Sequence, residues 1–176
     1  LFRISLSKGR TIISIKDEIQ HAQSYMNIQK VRYKNTFSVS FDIDPDICSY
    51  STVKLILQPI LENAINYGVS GMDESGEICV EGRRDGDNIL LSVTDNGIGM
   101  SEEEVGLVLT DSTRIHKRGS GVGLVNVNRR IQIYFGNEYG LVIESEPDEG
   151  TRVTVRIPAV PYTEEGTKLL EEGRSE

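Results

Sequence analysis

The chain has 176 residues, 38% of them hydrophobic and 26% charged, a length and mixture that supply one hydrophobic core and one globular domain. Its net charge of −8 excludes a nucleic-acid surface, which needs clustered Lys and Arg to neutralise phosphates and release counterions. Apolar runs such as Val53 to Leu57, broken by Lys54, fall far short of the roughly 20 residues that cross a bilayer; with no signal peptide read at the start, no direct membrane contact is expected.

Cys48 and Cys79 have neither paired spacing nor a nearby histidine cluster, so they read as buried thiols in a reducing cytoplasm, not as a disulfide frame or a zinc site. The first thirty-five residues read as helix, with Ile12, Ile15, Ile19, Ala22 and Met26 recurring at three- and four-residue steps. Phe37 to Ile43 alternates apolar and polar residues as a half-buried strand does, and Asp44-Pro45-Asp46 breaks it. A helix is expected from Thr52 to about Tyr67, with Pro59 either opening its main part or bending it. Glu77 to Arg83 and Asn88 to Thr94 read as two strands of a hairpin turned at Asp85-Gly86. Ser101 followed by Glu102, Glu103 and Glu104 reads as a capped helix start.

Thr110 to Arg118 carries charge without apolar periodicity and reads as an exposed loop, with a lid as its functional meaning. Val122 to Phe135 returns to helical spacing, and Tyr139 to Ser145 and Thr151 to Ile157 form the last two of about five strands. The charged tail, Thr163 to Glu176, is expected to be disordered.

Two glycine boxes carry the chemistry: Asp95-Asn96-Gly97-Ile98-Gly99-Met100 and Gly119-Ser120-Gly121-Val122-Gly123-Leu124. Upstream of both stands Glu62-Asn63-Ala64-Ile65-Asn66-Tyr67-Gly68. Glycine turns let backbone N–H groups approach phosphates. An Asn oxygen is a hard ligand suited to Mg²⁺, and Asn63, Asn66 and Tyr67 at i, i+3 and i+4 share a helical face. Asp95 ends an apolar strand, where an unpaired carboxylate is costly; accepting a hydrogen bond from the exocyclic amine of adenine satisfies it. A lone Gly-x-Gly is most often only a turn, but the three parts in order make a site for MgATP.

The set Glu62-Asn63-Ala64-Ile65, Asp95-x-Gly97-x-Gly99, Gly119-x-Gly121-x-Gly123-Leu124 and Gly150-Thr151 resembles the ATP-binding domain shared by DNA gyrase, a heat-shock chaperone, histidine kinases and the mismatch-repair ATPases. The match covers roughly residues 37 to 158. Leu57-Gln58-Pro59-Ile60-Leu61-Glu62-Asn63-Ala64-Ile65, Gly123-Leu124-Val125-Asn126-Val127-Asn128-Arg129-Arg130-Ile131 and Tyr134-Phe135-Gly136 resemble the bacterial sensor histidine kinases, and Tyr25 to Tyr33 is similar to their linker helix. The resemblance implies an α+β two-layer sandwich: a mixed sheet of about five strands covered on one face by about three helices, with an extra N-terminal linker helix. The implied division is a linker helix at 1–35, an ATP-binding catalytic domain at 36–160 and a tail at 161–176.

Carried over residue by residue, the resemblance implies that Asn63 holds Mg²⁺ and that Asn66 and Tyr67 line the phosphate and nucleotide side. Asp95 binds adenine N6 and Thr151 reaches the adenine through water. Gly97 and Gly99 let the backbone pass under the nucleotide, while Gly119, Gly121, Val122, Gly123 and Leu124 hinge the lid and begin the phosphate-facing helix. Arg114, Lys117 or Arg118 closes on the γ-phosphate. Glu62, with Asn63 the catalytic pair, orients metal, water or acceptor.

Two departures stand out. Pro59 occupies the position where ATP-hydrolysing relatives carry a water-activating acid, and Asn66 replaces a long cation common among histidine kinases. Neither His21 nor His116 stands in an acceptor context, so the chain is expected to be a catalytic piece that transfers the γ-phosphoryl of ATP to a histidine on a segment not included. The implied partners are that acceptor helix, of the same or a paired subunit, and a response regulator. The implied setting is the cytoplasmic side of a homodimeric inner-membrane sensor. A non-catalytic nucleotide-binding module and an anti-sigma-type serine kinase of the same fold are the alternatives.

Overall fold

The computed structural model describes residues 10–70, 72, 75–110 and 122–173. Helix α1, Ile15–Arg32, starts later than its apolar spacing suggested. Ile12–Ser14 instead forms strand β1, paired antiparallel with Ser51–Val53 (β3). Ile12 and Ile13 are both buried, so neither face of this short stretch is free to meet water as a helix would require. Ser14 then caps α1, its Oγ accepting the Asp17 N–H at 3.1 Å.

The helix expected from Thr52 to Tyr67 is likewise corrected. β3 occupies its first residues, Leu55 turns the chain at φ +59°, and α2 runs only over Leu57–Asn63. Pro59 lies in the first turn of α2, where its missing N–H has no helical partner to lose. From Ala64–Val69 the helix widens into a π turn, with Ser70 N–H donating to Ile65 O at 2.9 Å.

The main sheet has five strands: Phe37–Ile43 (β2), Gly76–Asp85 (β4), Asn88–Asp95 (β5), Gly140–Glu146 (β6) and Gly150–Pro158 (β7). Their order is β2-β4-β5-β7-β6, with β2 parallel to β4 and the other pairs antiparallel. The β4–β5 hairpin turns where Asp85-Gly86 announced it, with Gly86 at φ +60°. On β5 the core face reads Ile89, Leu91, Val93, and on β7 it reads Val153, Val155, Ile157. Leu61, Ile65, Leu124, Val127 and Ile131, from α2, its π continuation and helix α4 (Val122–Phe135), close over that face together with Met26 of α1. A short helix α3, Glu102–Val108, begins with the expected capping box of Ser101 and Glu104.

The tail is not disordered over its described part: Glu164–Gly173 forms helix α5. Thr163 Oγ1 accepts the Gly166 N–H at 3.0 Å and Leu170 is buried in the core. A cap and one apolar anchor order a segment whose composition alone reads as unstructured.

Candidate nucleotide site

Strand alternation places the site. Continuing the core face of β5 two residues past Val93 gives Asp95, and the residue opposite it in register on β7 is Thr151. A polar pair thus terminates an otherwise apolar face, next to the π turn. Asn63, Tyr67, Gly68, Asp95, Gly99, Met100, Glu104 and Thr151 line one cleft there.

Asp95 is 6% exposed. Its Oδ1 accepts the Gly97 N–H at 2.8 Å, and the Thr151 N–H also bonds to the carboxyl. Burial nevertheless dominates and pushes its pKa up to about 6. The backbone is packed too closely here for side chains. A Cβ on Gly97 would sit 2.2 Å from the carbonyl carbon and oxygen of Gly68, so the first glycine box crosses the π turn with no spacer. Gly99 holds φ +69° beside the Glu146 carbonyl. Asn96 fastens the box to the start of β4, its Oδ1 accepting Glu77 N–H at 2.7 Å and its Nδ2 donating to Ser75 O at 3.0 Å.

Asn63 Oδ1 is buried and has no hydrogen-bond partner among the described residues. Such an orphaned amide oxygen is costly unless something outside the chain satisfies it, and it fits a hard cation such as Mg²⁺. Asn66 does not share its face. The π turn advances each residue less about the axis than an α turn, bringing Tyr67 and Gly68 round to Asn63 and leaving Asn66 exposed, where its Oδ1 accepts the Tyr33 hydroxyl of α1 at 3.2 Å. Glu62 also faces α1. Gln58 Nε2 donates to its Oε1 at 3.2 Å, and Tyr25 hydrogen-bonds to it; burial first, then the Glu62 charge, pushes the Tyr25 pKa up to about 12.

Gly123 packs beside Pro59, and Leu124 is buried in the core. Gly119 and Gly121, the Val122 side chain and the lid cations Arg114, Lys117 and Arg118 lie outside the described residues. Cys48 and Cys79 are unpaired and half-buried.

Sequence reasoning missed four cleft or supporting residues: Gly68, Met100, Glu104 and Ser145. Ser145 Oγ accepts the Met100 N–H, donates to Gly150 O and meets Thr151 Oγ1, each at 2.8 Å. Its strand position marked it only as a polar residue of β6. It also missed Glu18, whose carboxylate accepts the N–H groups of Leu55, Ile56 and Leu57 at 2.8, 2.9 and 2.9 Å and so caps α2 from α1. From the other side Arg130 donates to the carbonyls of Lys54 and Leu55 at 2.6 and 3.2 Å.

With this geometry in view, the family is defined by comparison. Residues 49–161 match the model of the histidine kinase-, DNA gyrase B-, and HSP90-like ATPases, and residues 1–37 match that of histidine kinases. The chain belongs to the histidine kinase-, DNA gyrase B-, and HSP90-like ATPase family, in which ATP binding is the common property. Among its relatives it is 31% identical to the sensor histidine kinase BtsS of Escherichia coli over 89% of this chain. It is 35% identical to the sensor histidine kinase YesM of Bacillus subtilis over 90%. It spans about a quarter, 26%, of the length of each. The fold is that of the catalytic domain of the histidine kinase ThkA, with a TM-score of 0.64 at 16% identity over 85% of this chain and 95% of that one. A histidine kinase domain from Erythrobacter litoralis gives 0.61 at 18% identity over 93% of this chain and 67% of that one.

Proposed function

We propose that this chain is the ATP-binding catalytic domain of a two-component sensor histidine kinase of the Leu-Gln-Pro-x-x-Glu-Asn-Ala-Ile type, passing the γ-phosphoryl of MgATP to a histidine on a segment outside these residues. The observation that carries this reading is that one cleft is lined by both Asp95, a buried carboxylate with acceptor capacity to spare, and Asn63, whose Oδ1 has no hydrogen-bond partner among the described residues. Adenine fits the Asp95 end, because a buried carboxylate accepts the hydrogen bond of an exocyclic amine and favours it over an oxo group. Phosphates fit the other end, beside Asn63 and Tyr67, and the family resemblance assigns Gly119, Gly121, Val122, Gly123 and the cations Arg114, Lys117 or Arg118 to phosphate contact.

Mg²⁺, which Asn63 would hold, would supply the positive charge that neutralises the phosphates. The contributions of the chain are orientation and exclusion. Asn63 holds the metal end, Asp95 and Thr151 fix the base, and Gly97 and Gly99 bring backbone close beneath the nucleotide. Glu62, on the edge of α2 that faces α1, orients the incoming acceptor. Pro59 stands where ATP-hydrolysing relatives carry a water-activating acid, which favours transfer over hydrolysis. The acceptor helix, a second copy of the parent and a response-regulator aspartate are the partners this reading requires, and a cytoplasmic setting supplies the ATP.

The test is incubation with γ-labelled ATP. The chain alone should turn ATP over very slowly and remain unlabelled, whereas a protein that also carries an acceptor histidine should acquire acid-labile, base-stable label. His21→Ala and His116→Ala should leave that labelling intact. Fast steady hydrolysis by the chain alone would favour an ATPase, and acid-stable label on a partner would favour the serine-kinase alternative.

A further inference from the structure

The base end of the cleft rests on a hydroxyl whose proton is already spoken for. A serine hydroxyl has one proton and two acceptor positions. The Ser145 proton goes to Gly150 O at 2.8 Å, and one acceptor position takes the Met100 N–H at 2.8 Å. The 2.8 Å contact between Ser145 Oγ and Thr151 Oγ1 must then be carried by the Thr151 proton, which fills the last position on Ser145. Thr151 Oγ1 is left with lone pairs only. Beside it, on the same cleft wall, the ionised carboxylate of Asp95 is also an acceptor and nothing else.

We propose that Ser145, which does not line the cleft itself, is a specificity-determining residue. By drawing off the Thr151 proton it makes the base end acceptor-only, so that the site takes a 6-aminopurine and rejects a 6-oxopurine. This rests on the reading of the cleft as a nucleotide site and sharpens it. An amino group placed between Asp95 and Thr151 has two protons and donates one to each. The oxo group of guanine meets two acceptors with no proton between them, and a site whose buried polar groups are left mismatched rejects the wrong ligand strongly. Discrimination is thereby built by two residues that face the base and a third that fixes the direction of a hydrogen bond.

Calorimetric titration of the chain with MgADP and MgGDP tests this. In Ser145→Ala the Thr151 hydroxyl is free to rotate its proton into the cleft, and the ratio of ADP to GDP affinity should narrow about tenfold, the value of one hydrogen bond to a neutral partner. Much of that change should come from tighter GDP binding. Ser145→Thr, which keeps the hydroxyl, should restore the ratio. Thr151→Val removes the proton altogether, so adding Ser145→Ala to it should leave the ratio where Thr151→Val alone sets it. Equal weakening of both nucleotides in Ser145→Ala would assign Ser145 a structural role and overturn the inference. The same narrowing in the Thr151→Val background would overturn it as well. A wild-type chain that shows no preference for ADP over GDP would instead refute the adenine reading of the cleft, and the inference with it.

Discussion

Among the described residues two carboxylates are buried, and only one of them borders a cleft. Glu18 is 1% exposed and Asp95 6%; burial raises the pKa of both, and both accept backbone N–H groups. The difference is what remains after those bonds. Glu18 spends both oxygens on the three N–H groups that precede and open α2, deep between two helices and a loop. Asp95 accepts from Gly97 and Thr151 and still borders a cleft, although a carboxylate has about four lone-pair positions. A perturbed pKa therefore marks a buried carboxyl; unspent acceptor capacity facing open space marks a functional one.

Removing each carboxylate should separate the two roles. Glu18→Ala strands the buried donors of Ile56 and Leu57, at about 1–3 kcal/mol each, together with the half-exposed Leu55 N–H, and should lower unfolding stability in urea by about 3 kcal/mol or more. A loss below about 1 kcal/mol would mean that water or a backbone shift replaces the carboxylate, and the contrast would fail. Asp95→Asn should instead leave the fold nearly as stable while weakening MgADP by about 1.5–3 kcal/mol, the worth of a hydrogen bond to a charged group. Unchanged calorimetric affinity in that variant would remove Asp95 from the base end.

Asn63→Ala probes the opposite end of the cleft. Nucleotide affinity should fall about tenfold or more in the presence of magnesium and remain as in the wild type with EDTA, and phosphotransfer should be lost. Retained activity in a protein carrying the acceptor would displace Asn63 from metal binding.

The smallest effect concerns pH. Asp95 has a folded pKa of about 6 against an ordinary value of 3.8, so between these values the folded chain holds the proton more tightly than the unfolded chain. Its contribution to stability is therefore greatest at low pH and declines as pH rises through that window, a direction Glu18 shares. Nucleotide binding runs the other way. An amine donor favours the ionised carboxylate, so MgADP should bind about tenfold more weakly at pH 5 than at pH 7, with proton release on binding near pH 6 that Asp95→Asn abolishes. Calorimetry in two buffers of different ionisation enthalpy reads that proton directly.

Much of this architecture follows from local pattern. Alternation along Asn88 to Thr94 set the strand that delivers Asp95, the Asp-Gly pair set its hairpin, and Ser101 with Glu104 set a helix start. Each is decided within a few residues, by side-chain period, turn conformation or capping, and so was legible in order. That Gly97 and Gly99 sit at close backbone approaches and that Asp95 ends a strand was legible for a similar reason, since few residue types suit those positions. What depended on partners distant in sequence was not. Ile12–Ser14 became a strand because Ser51–Val53 lies beside it, and Glu164–Gly173 ordered because Leu170 found a core. The π turn moved Asn66 away from Asn63 and toward Tyr33. Glu18 reads as one more polar position on a helix until α2 places three N–H groups against it, and Ser145 reads as one more polar strand residue until Met100, Gly150 and Thr151 surround it. The amino-acid sequence determined which groups exist and which local geometry carries them; only the tertiary structure decided which hydrogen bonds are spent inside the protein and which are left for a ligand, because that count closes only when every neighbour is in place.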